Sequence, residues 1–352
     1  MRTIEWVHES NRVRMIDQRK LPGSFEYLYA DSAEEVAQAI RSMAIRGAPA
    51  LGIAGAFGMA LHALNCSQCA GADLRANLKD AAGTIIASRP TAVNLAWGVN
   101  RIRKLADDRS LPDALITERI LQEALEMAEE DVRTNLLLAQ HGASLIDDGD
   151  TIIHHCNTGG LAAVEWGTAL GAIRYAHEHG KKVHVLVDET RPRLQGSRLT
   201  AWECGQYGIP YTIITDNAAG YFLETGQVQK VFFGADRVAA NGDVVNKIGT
   251  YMLSLAAHAN HVQVVCVFPL STLDLNTPTG AEVCIEERDP SEVLSISLQG
   301  EQATPAGAAA SNPAFDITPH DLISAMVTER GIITPPYDKN LPRCSYNSGL
   351  DN

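Results

Sequence analysis

Between residues 150 and 268, short β-branched and aromatic runs alternate with helical stretches, and this alternation constrains the fold more than any other pattern in the chain. The runs are Thr151–His155, Val183–Val187, Tyr211–Thr215, Lys230–Phe233 and Val262–Phe268. Between them lie helix candidates at 161–179, 196–207, 217–225 and 246–260. Strand, helix, strand in this rhythm predicts βαβ units and a parallel sheet. In a parallel sheet the carboxyl ends of the strands share one edge, and ligands gather there. What the chain carries at those ends therefore matters most for function.

The preceding part, to about residue 145, reads as mainly helical. Ser32 followed by Glu35 is a capping-box signature for a helix running toward Met43. Arg46-Gly-Ala-Pro-Ala50 interrupts it, and a small-residue helix follows to about Leu64. Further helices are expected near 71–88 and 92–106, and Leu115–Ile146 is a long amphipathic stretch whose acids form a solvated face. Leu298–Ser311 reads as a mobile loop and 319–330 as a final helix. The fold class expected is α/β: a mainly helical domain over 1–145, then a Rossmann-like parallel-sheet domain over 146–352. The glycines of His155-Cys-Asn-Thr-Gly-Gly160 do not form G-x-G-x-x-G, so no dinucleotide is expected, nor any other cofactor.

Composition removes several function classes. Hydrophobic residues make up 45%, enough for large cores, and the formal charge of −13 argues against nucleic acid as a partner. The first ten residues contain no apolar leader core, and no apolar run reaches the length of a membrane span; Ala48–Leu64 comes closest but is broken by glycine. Neither a secretory leader nor a membrane partner is expected. The seven cysteines (66, 69, 156, 204, 266, 284 and 344) are odd in number and irregularly spaced, which fits reduced thiols in a cytoplasmic protein. Cys66 and Cys69 form a C-x-x-C with no second pair to complete a zinc site, and read as incidental.

The first strand run ends at Cys156 and Asn157, the second at Asp188-Glu-Thr-Arg-Pro-Arg193, the third at Asp216 and Asn217, the fourth at Gly234-Ala-Asp-Arg237. A thiol and several acids converging on one edge describe an active site better than a core. Taken alone, Cys156 reads better as a buried, inert thiol than as a reactive one; a helix start beside it would favour an anion, and the company it keeps along the chain raises the functional reading. Gln195-Gly-Ser-Arg-Leu-Thr-Ala-Trp-Glu203 opens a helix that either binds an anion or is simply capped. Asn241-Gly-Asp243 is a hairpin turn leading to Asn246 and Lys247, and a lysine at a helix start calls for an anionic partner. Arg46 and Arg89 stand beside helix breaks, where a lone arginine is ordinarily just solvated. His154 and His155 point to opposite faces of a strand. No third ligand stands at metal spacing, so no metal is expected.

Eight segments in order resemble the methylthioribose-1-phosphate isomerase family, which is related to subunits of translation initiation factor 2B. They are Ile45-Arg-Gly-Ala-Pro-Ala50, Arg89-Pro-Thr-Ala-Val-Asn-Leu95, His155-Cys-Asn-Thr-Gly159, Glu189-Thr-Arg-Pro192, Gln195–Glu203, Gly234-Ala-Asp-Arg237, Asn241–Thr250 and Asn312-Pro-Ala-Phe-Asp316. The resemblance implies that Cys156 and Asp236 are the catalytic pair. It implies that Arg46, Gly47, Ala48, Arg89, Gln195, Asn246 and Lys247 bind substrate, and that the protein is a homodimer. The implied partner is a small sugar phosphate and the implied reaction converts an aldose to a ketose. Related readings are an isomerase of 5-deoxyribose 1-phosphate or ribose 1,5-bisphosphate, and a non-catalytic regulatory subunit. Thr158 and Ser197 stand where the family also commonly has alanine.

The implied substrate carries phosphate on its C1 oxygen and cannot open to a free aldehyde. An acid must protonate the ring oxygen as C1–O4 breaks, a role that falls to Asp236 if burial keeps it protonated. Hydrogen must then move from C2 to C1. Cys156 serves either as base for an enediol route or as the stabiliser of charge in a hydride route, and the sequence does not choose. Arg46, Arg89 and Lys247 would clamp the phosphate.

Overall fold

The computed structural model describes residues 1–67 and 73–346. Cys69, one half of the C-x-x-C, lies outside the described residues. The chain forms two compact units: Met1–Ala139 with Thr158–Gly171, and Gln140–Asn157 with Ala172–Asn352.

The first unit opens with an antiparallel meander, β1 (Ile4–Val7), β2 (Arg12–Ile16) and β3 (Tyr27–Ala30), which the sequence reading did not anticipate. Helices α1 (Ala33–Arg41), α2 (Ala48–Ser67), α3 (Leu74–Ala87), α4 (Val93–Asp107) and α5 (Asp113–Ala143) follow, the last running through the division at Ala139. Ser32 caps α1 as expected: the Glu35 N–H donates to Ser32 Oγ at 3.2 Å, while the Glu35 carboxylate reaches one residue further back than a capping box and accepts from the Asp31 N–H at 2.6 Å. Helix α2 supplies much of the core, burying Leu51, Ile53, Phe57 and Leu61. Its stretch Ala48–Cys66 is long and apolar enough to cross a membrane by length and composition, which corrects the expectation that no run reaches that length; 72% of the stretch is buried, as in a core helix. Glycines let α2 and α4 touch at the backbone. A Cβ added at Gly98 would stand 2.2 Å from the Gly52 carbonyl oxygen. Residues 158–171 are fastened to this unit by Thr3, whose Oγ1 donates to Gly160 O (2.7 Å), by Gln18, whose Nε2 donates to Leu161 O (2.7 Å), and by Asp131, which accepts the Val164 N–H (2.7 Å).

The second unit contains β4 (Thr151–His154), α6 (Ala169–Glu178, whose first turn belongs to the first unit), β5 (His184–Asp188), α7 (Ala201–Tyr207), β6 (Tyr211–Ile214), α8 (Ala219–Glu224) and β7 (Lys230–Phe233). Then come β8 (Arg237–Ala239), β9 (Val244–Lys247), α9 (Thr250–Ala259), β10 (Gln263–Val267), β11 (Leu273–Asp274), α10 (Ser291–Leu294) and the ribbon β12 (Ser297–Leu298) with β13 (Glu301–Gln302). The described chain ends with β14 (Phe315–Thr318), β15 (Ala325–Thr328), β16 (Gly331–Ile333) and α11 (Tyr337–Tyr346). A seven-stranded sheet has the order β16-β15-β10-β7-β4-β5-β6 and is parallel except for β16. Strands β11, β8, β9 and β14 form a second, smaller sheet.

Two expectations are corrected here. Residues 319–330 are not a helix: Ala325–Thr328 is fully buried as β15, and a short apolar run buried in a parallel sheet cannot be told from a helix by periodicity. Lys247 does not begin a helix either; it ends β9, and α9 starts at Thr250. The topology also locates a crevice. From β4 the chain builds outward through β5 and β6, then returns to the other side of β4 to lay down β7, β10 and β15. The order therefore reverses between β4 and β7, and ligands of open α/β sheets bind at the carboxyl ends of such a reversal. Cys156 follows β4 and Asp236 follows β7.

Candidate active site

Cys156 is buried in a left-handed backbone conformation, φ +67°, unusual for any residue but glycine. Hydrogen bonds hold it there. Its N–H donates to Thr190 Oγ1 at 2.9 Å, and its carbonyl accepts from Thr200 Oγ1 at 2.7 Å. Asn157 Nδ2 donates to Thr200 Oγ1 (3.2 Å) and to the fully buried Glu203 carboxylate (2.7 Å). Thr190 is itself at φ +63°, an outlier for a β-branched residue, and its hydroxyl donates to Asp188 O at 3.0 Å. Strained backbone of this kind persists only where the surroundings over-determine it, and it clusters at functional sites.

His155 answers which of the two histidines faces this edge. Its Nδ1 lies 2.8 Å from Asp188 Oδ2 and its Nε2 donates to Ile248 O at 2.9 Å, with both side chains about 1% exposed. Burial pulls the imidazole down, but the hydrogen bond to Asp188 and the charges of Asp188 and Asp216 outweigh it, and its pKa stands above the ordinary histidine value. Burial pushes the Asp188 carboxyl up to about 6 against the opposing bond from His155. His154 is the core histidine: burial first, then the neighbouring His155, holds it down at about 3, so it is neutral. Asp216 braces the second strand's turn by accepting the N–H groups of Thr190 and Arg191, each at 2.7 Å. His155, Asp188 and Asp216 bring ligand atoms within 4.8 Å of one another, a cluster the sequence reading missed. Both imidazole nitrogens and both Asp216 oxygens are already engaged with the protein's own groups.

Gln195 is buried and precedes a π-turn, Gly196–Thr200, that leads into α7. Single π-turns of this sort are frequent at functional sites. Gly196 is required at this close approach, because a Cβ there would stand 1.6 Å from the Asp188 carbonyl oxygen. Gln195 Oε1 is buried without a hydrogen-bond partner among the described residues, as expected of a group awaiting a ligand. Asp236 is half-buried in the turn between β7 and β8, its N–H bonded to Val245 O at 2.9 Å. The hairpin turn expected at Asn241-Gly242-Asp243 joins β8 to β9, which delivers Asn246 and Lys247. The segment Asn312–Asp316 seats them. Lys247 Nζ donates to Ala314 O (2.6 Å) and lies 4.4 Å over the Phe315 ring, while Asp316 caps α9 through the N–H groups of Gly249 and Tyr251.

The remaining predicted residues lie in the first unit. Gly47, at φ +99°, precedes α2 and packs on Ala162, whose Cα would be 2.4 Å from an added Cβ. Arg46 and Arg89 are half-buried, just ahead of the amino ends of α2 and α4. Gly52 and Gly55 of α2 pack on Asn94, Leu95, Gly98 and Val99 of α4, so the opening turns of the two helices lie together. Neither helix has an acid in its first turn. Two helix amino ends, uncompensated by acids and preceded by arginines, favour a phosphate.

Comparison with known proteins adds an independent line. Residues 44–335 match the model of the Initiation factor 2 subunit family. A methylthioribose-1-phosphate isomerase of Synechococcus sp. is 48% identical over 339 residues, covering 96% of this chain and 97% of the relative. One from Geotalea daltonii is 46% identical over 341 residues, 97% of each. Among solved structures, 5-methylthioribose 1-phosphate isomerase from Pyrococcus horikoshii OT3 superposes with a TM-score of 0.89 at 40% identity, over 99% of this chain and 96% of that one. The translation initiation factor eIF-2B subunit delta from A. fulgidus gives a TM-score of 0.85 at 42% identity, over 97% and 98%.

Proposed function

The chain belongs to the initiation factor 2 subunit family, and we propose that it is its isomerase, converting 5-methylthioribose 1-phosphate to 5-methylthioribulose 1-phosphate in methionine salvage. One observation carries this: Cys156 and Asp236 follow the two neighbouring strands between which the sheet order reverses. Cys156 and Asp236 are the catalytic pair. Asp236 gives a proton to the ring oxygen as C1–O4 breaks, and Cys156 acts where hydrogen leaves C2 for C1. Arg46, Arg89 and Lys247 take the phosphate; Gly47, Ala48, Gln195 and Asn246 complete the substrate-binding set. The orphaned Gln195 oxygen and the paired helix amino ends support these assignments. Reaction in deuterated water separates the two hydrogen routes: full retention of the C2 hydrogen at product C1 fits hydride movement, and solvent deuterium there fits an enediol.

The protein works as a homodimer in the cytoplasm; sedimentation equilibrium at micromolar concentration checks the first point. The likeness to an archaeal initiation-factor subunit favours a second, non-catalytic reading. Purified protein offered 5-methylthioribose 1-phosphate, 5-deoxyribose 1-phosphate and ribose 1,5-bisphosphate decides between them. Preference for the first supports the proposal, preference for another moves the specificity, and no turnover of any of the three overturns it.

A further inference from the structure

The proton count on His155 can be read from its partners. Nε2 faces a carbonyl oxygen, Ile248 O, at 2.9 Å, and a carbonyl only accepts, so Nε2 carries a proton. Nδ1 faces Asp188 Oδ2 at 2.8 Å, so a second proton lies between that nitrogen and that oxygen. Asp188 Oδ1 is buried with no hydrogen-bond partner among the described residues, which leaves Oδ2 as the oxygen through which this carboxyl acts. The imidazole therefore spans three pieces of chain: the end of β4, the end of β5 and the turn between β9 and α9. That turn is shaped for it. Gly249 is at φ +103°, and a Cβ there would stand 2.9 Å from His155 Cε1, so only glycine lets the ring pack flush.

We propose that His155 is a positioning residue for Cys156: clamped between Asp188 and the Ile248 carbonyl, it fixes the Cys156 turn relative to the turn that follows Asn246 and Lys247. The proposal deepens the isomerase reading of the same site and rests on it for its kinetic arm. The groups that bear on the clamp are Asp216 and Glu189 from the turns after β6 and β5, Asp316 from β14, and Lys247, which acts on Asp316. His154 next door is neutral. Asp216 is held beside the pair by two backbone N–H groups, and its charge helps to raise the His155 pKa.

Two measurements test this, and the first does not depend on the isomerase reading. Nitrogen-15 NMR of imidazole-labelled wild-type protein reports the protons of His155, assigned by its loss in His155→Gln. The expected result is a ring bearing a non-exchanging Nε2–H and a downfield shared proton, unchanged from pH 6 to 8. A ring that titrates freely near the ordinary histidine pKa overturns the clamp, whatever the protein catalyses. The second is kinetic. Asp188→Ala removes the clamp, and kcat is expected to fall about 10–100-fold with KM within about threefold, the cost of moving a catalytic group by around an ångström. Asp188→Asn keeps a donor toward Nδ1 and leaves Nε2–H on Ile248 O, so it should recover at least about tenfold of that loss. Full activity in Asp188→Ala, or an Asn variant as poor as the Ala variant, overturns the positioning role.

Discussion

Replacing Thr190 by valine removes one oxygen atom and keeps the shape of the side chain. That oxygen accepts the Cys156 N–H at 2.9 Å and donates to Asp188 O at 3.0 Å, in a fully buried place. The valine leaves the N–H without an acceptor. An orphaned buried donor costs about 1–3 kcal/mol and the lost second bond about 1 kcal/mol, so the variant should be less stable by about 2–4 kcal/mol. Both residues are β-branched, so the strain of φ +63° at this position cancels in the comparison. What does not cancel is the anchor of Cys156 in its own left-handed conformation. With that anchor gone the thiol shifts, and turnover should fall on the order of 10²-fold. Urea unfolding gives the first number from the midpoint and slope, and ketose formation gives the second. Thr190→Ser keeps both hydrogen bonds and should lose less than about 1 kcal/mol, with turnover retained. A valine variant within about 0.5 kcal/mol of wild type and with undiminished kcat would refute the reasoning.

Other expectations concern the catalytic pair, a buried ion pair and a buried base. Cys156→Ser and Asp236→Asn should each lower kcat by at least about 10²–10⁴-fold with unchanged far-UV circular dichroism; near-normal rates would remove the assigned roles. Lys230 Nζ meets Asp150 Oδ2 at 2.5 Å, with both side chains about 7% exposed or less. Lys230→Met leaves that carboxylate buried without its cation, though still bonded by the Asp147 N–H at 2.8 Å, and should cost about 3–5 kcal/mol, much of it regained when Asp150→Leu is added. His154, held down at about 3, binds its proton in the unfolded chain below the ordinary pKa of 6.5 but not in the folded one. Stability from this group is therefore complete above pH 6.5 and lost on acidification toward 3. Over that window wild type should lose up to about 1.4 kcal/mol more per pH unit than His154→Leu, read from urea midpoints; parallel slopes would contradict a buried neutral ring.

Much of the sheet was legible because β4, β5, β7 and β10, largely buried, read as unbroken β-branched runs, as does the exposed edge strand β6; four of the five end in polar residues at one edge. The amino-terminal meander was not, because Ile4, Trp6, Val13 and Met15 alternate over strands of only four or five residues among charged neighbours. Residues 319–330 read as helix because Leu322, Ile323, Met326 and Val327 fall at helical spacing; the Gly331 turn that closes β15 is the sign of a strand. Lys247 falls inside the helix read from sequence because the apolar pattern of α9 begins just beyond it. The His155–Asp188 pair spans 33 residues and leaves no motif. Register could have found it: once β4 and β5 are taken as parallel neighbours with His154 opposite Val187, the next residue of each strand is His155 and Asp188. Arg46 and Arg89 came only from the family resemblance, since nothing in their spacing distinguishes them from solvated arginines.

Residues 158–171 belong to the first unit but are encoded after β4 and Cys156. This sets an order of events on the ribosome. Until that segment emerges, Thr3, Gln18 and Asp131 lack the partners that Gly160, Leu161 and Val164 supply, and the amino-terminal unit stays unfinished. A gene cut at residue 145 would not yield two complete modules, because the segment that closes the first is encoded beyond β4.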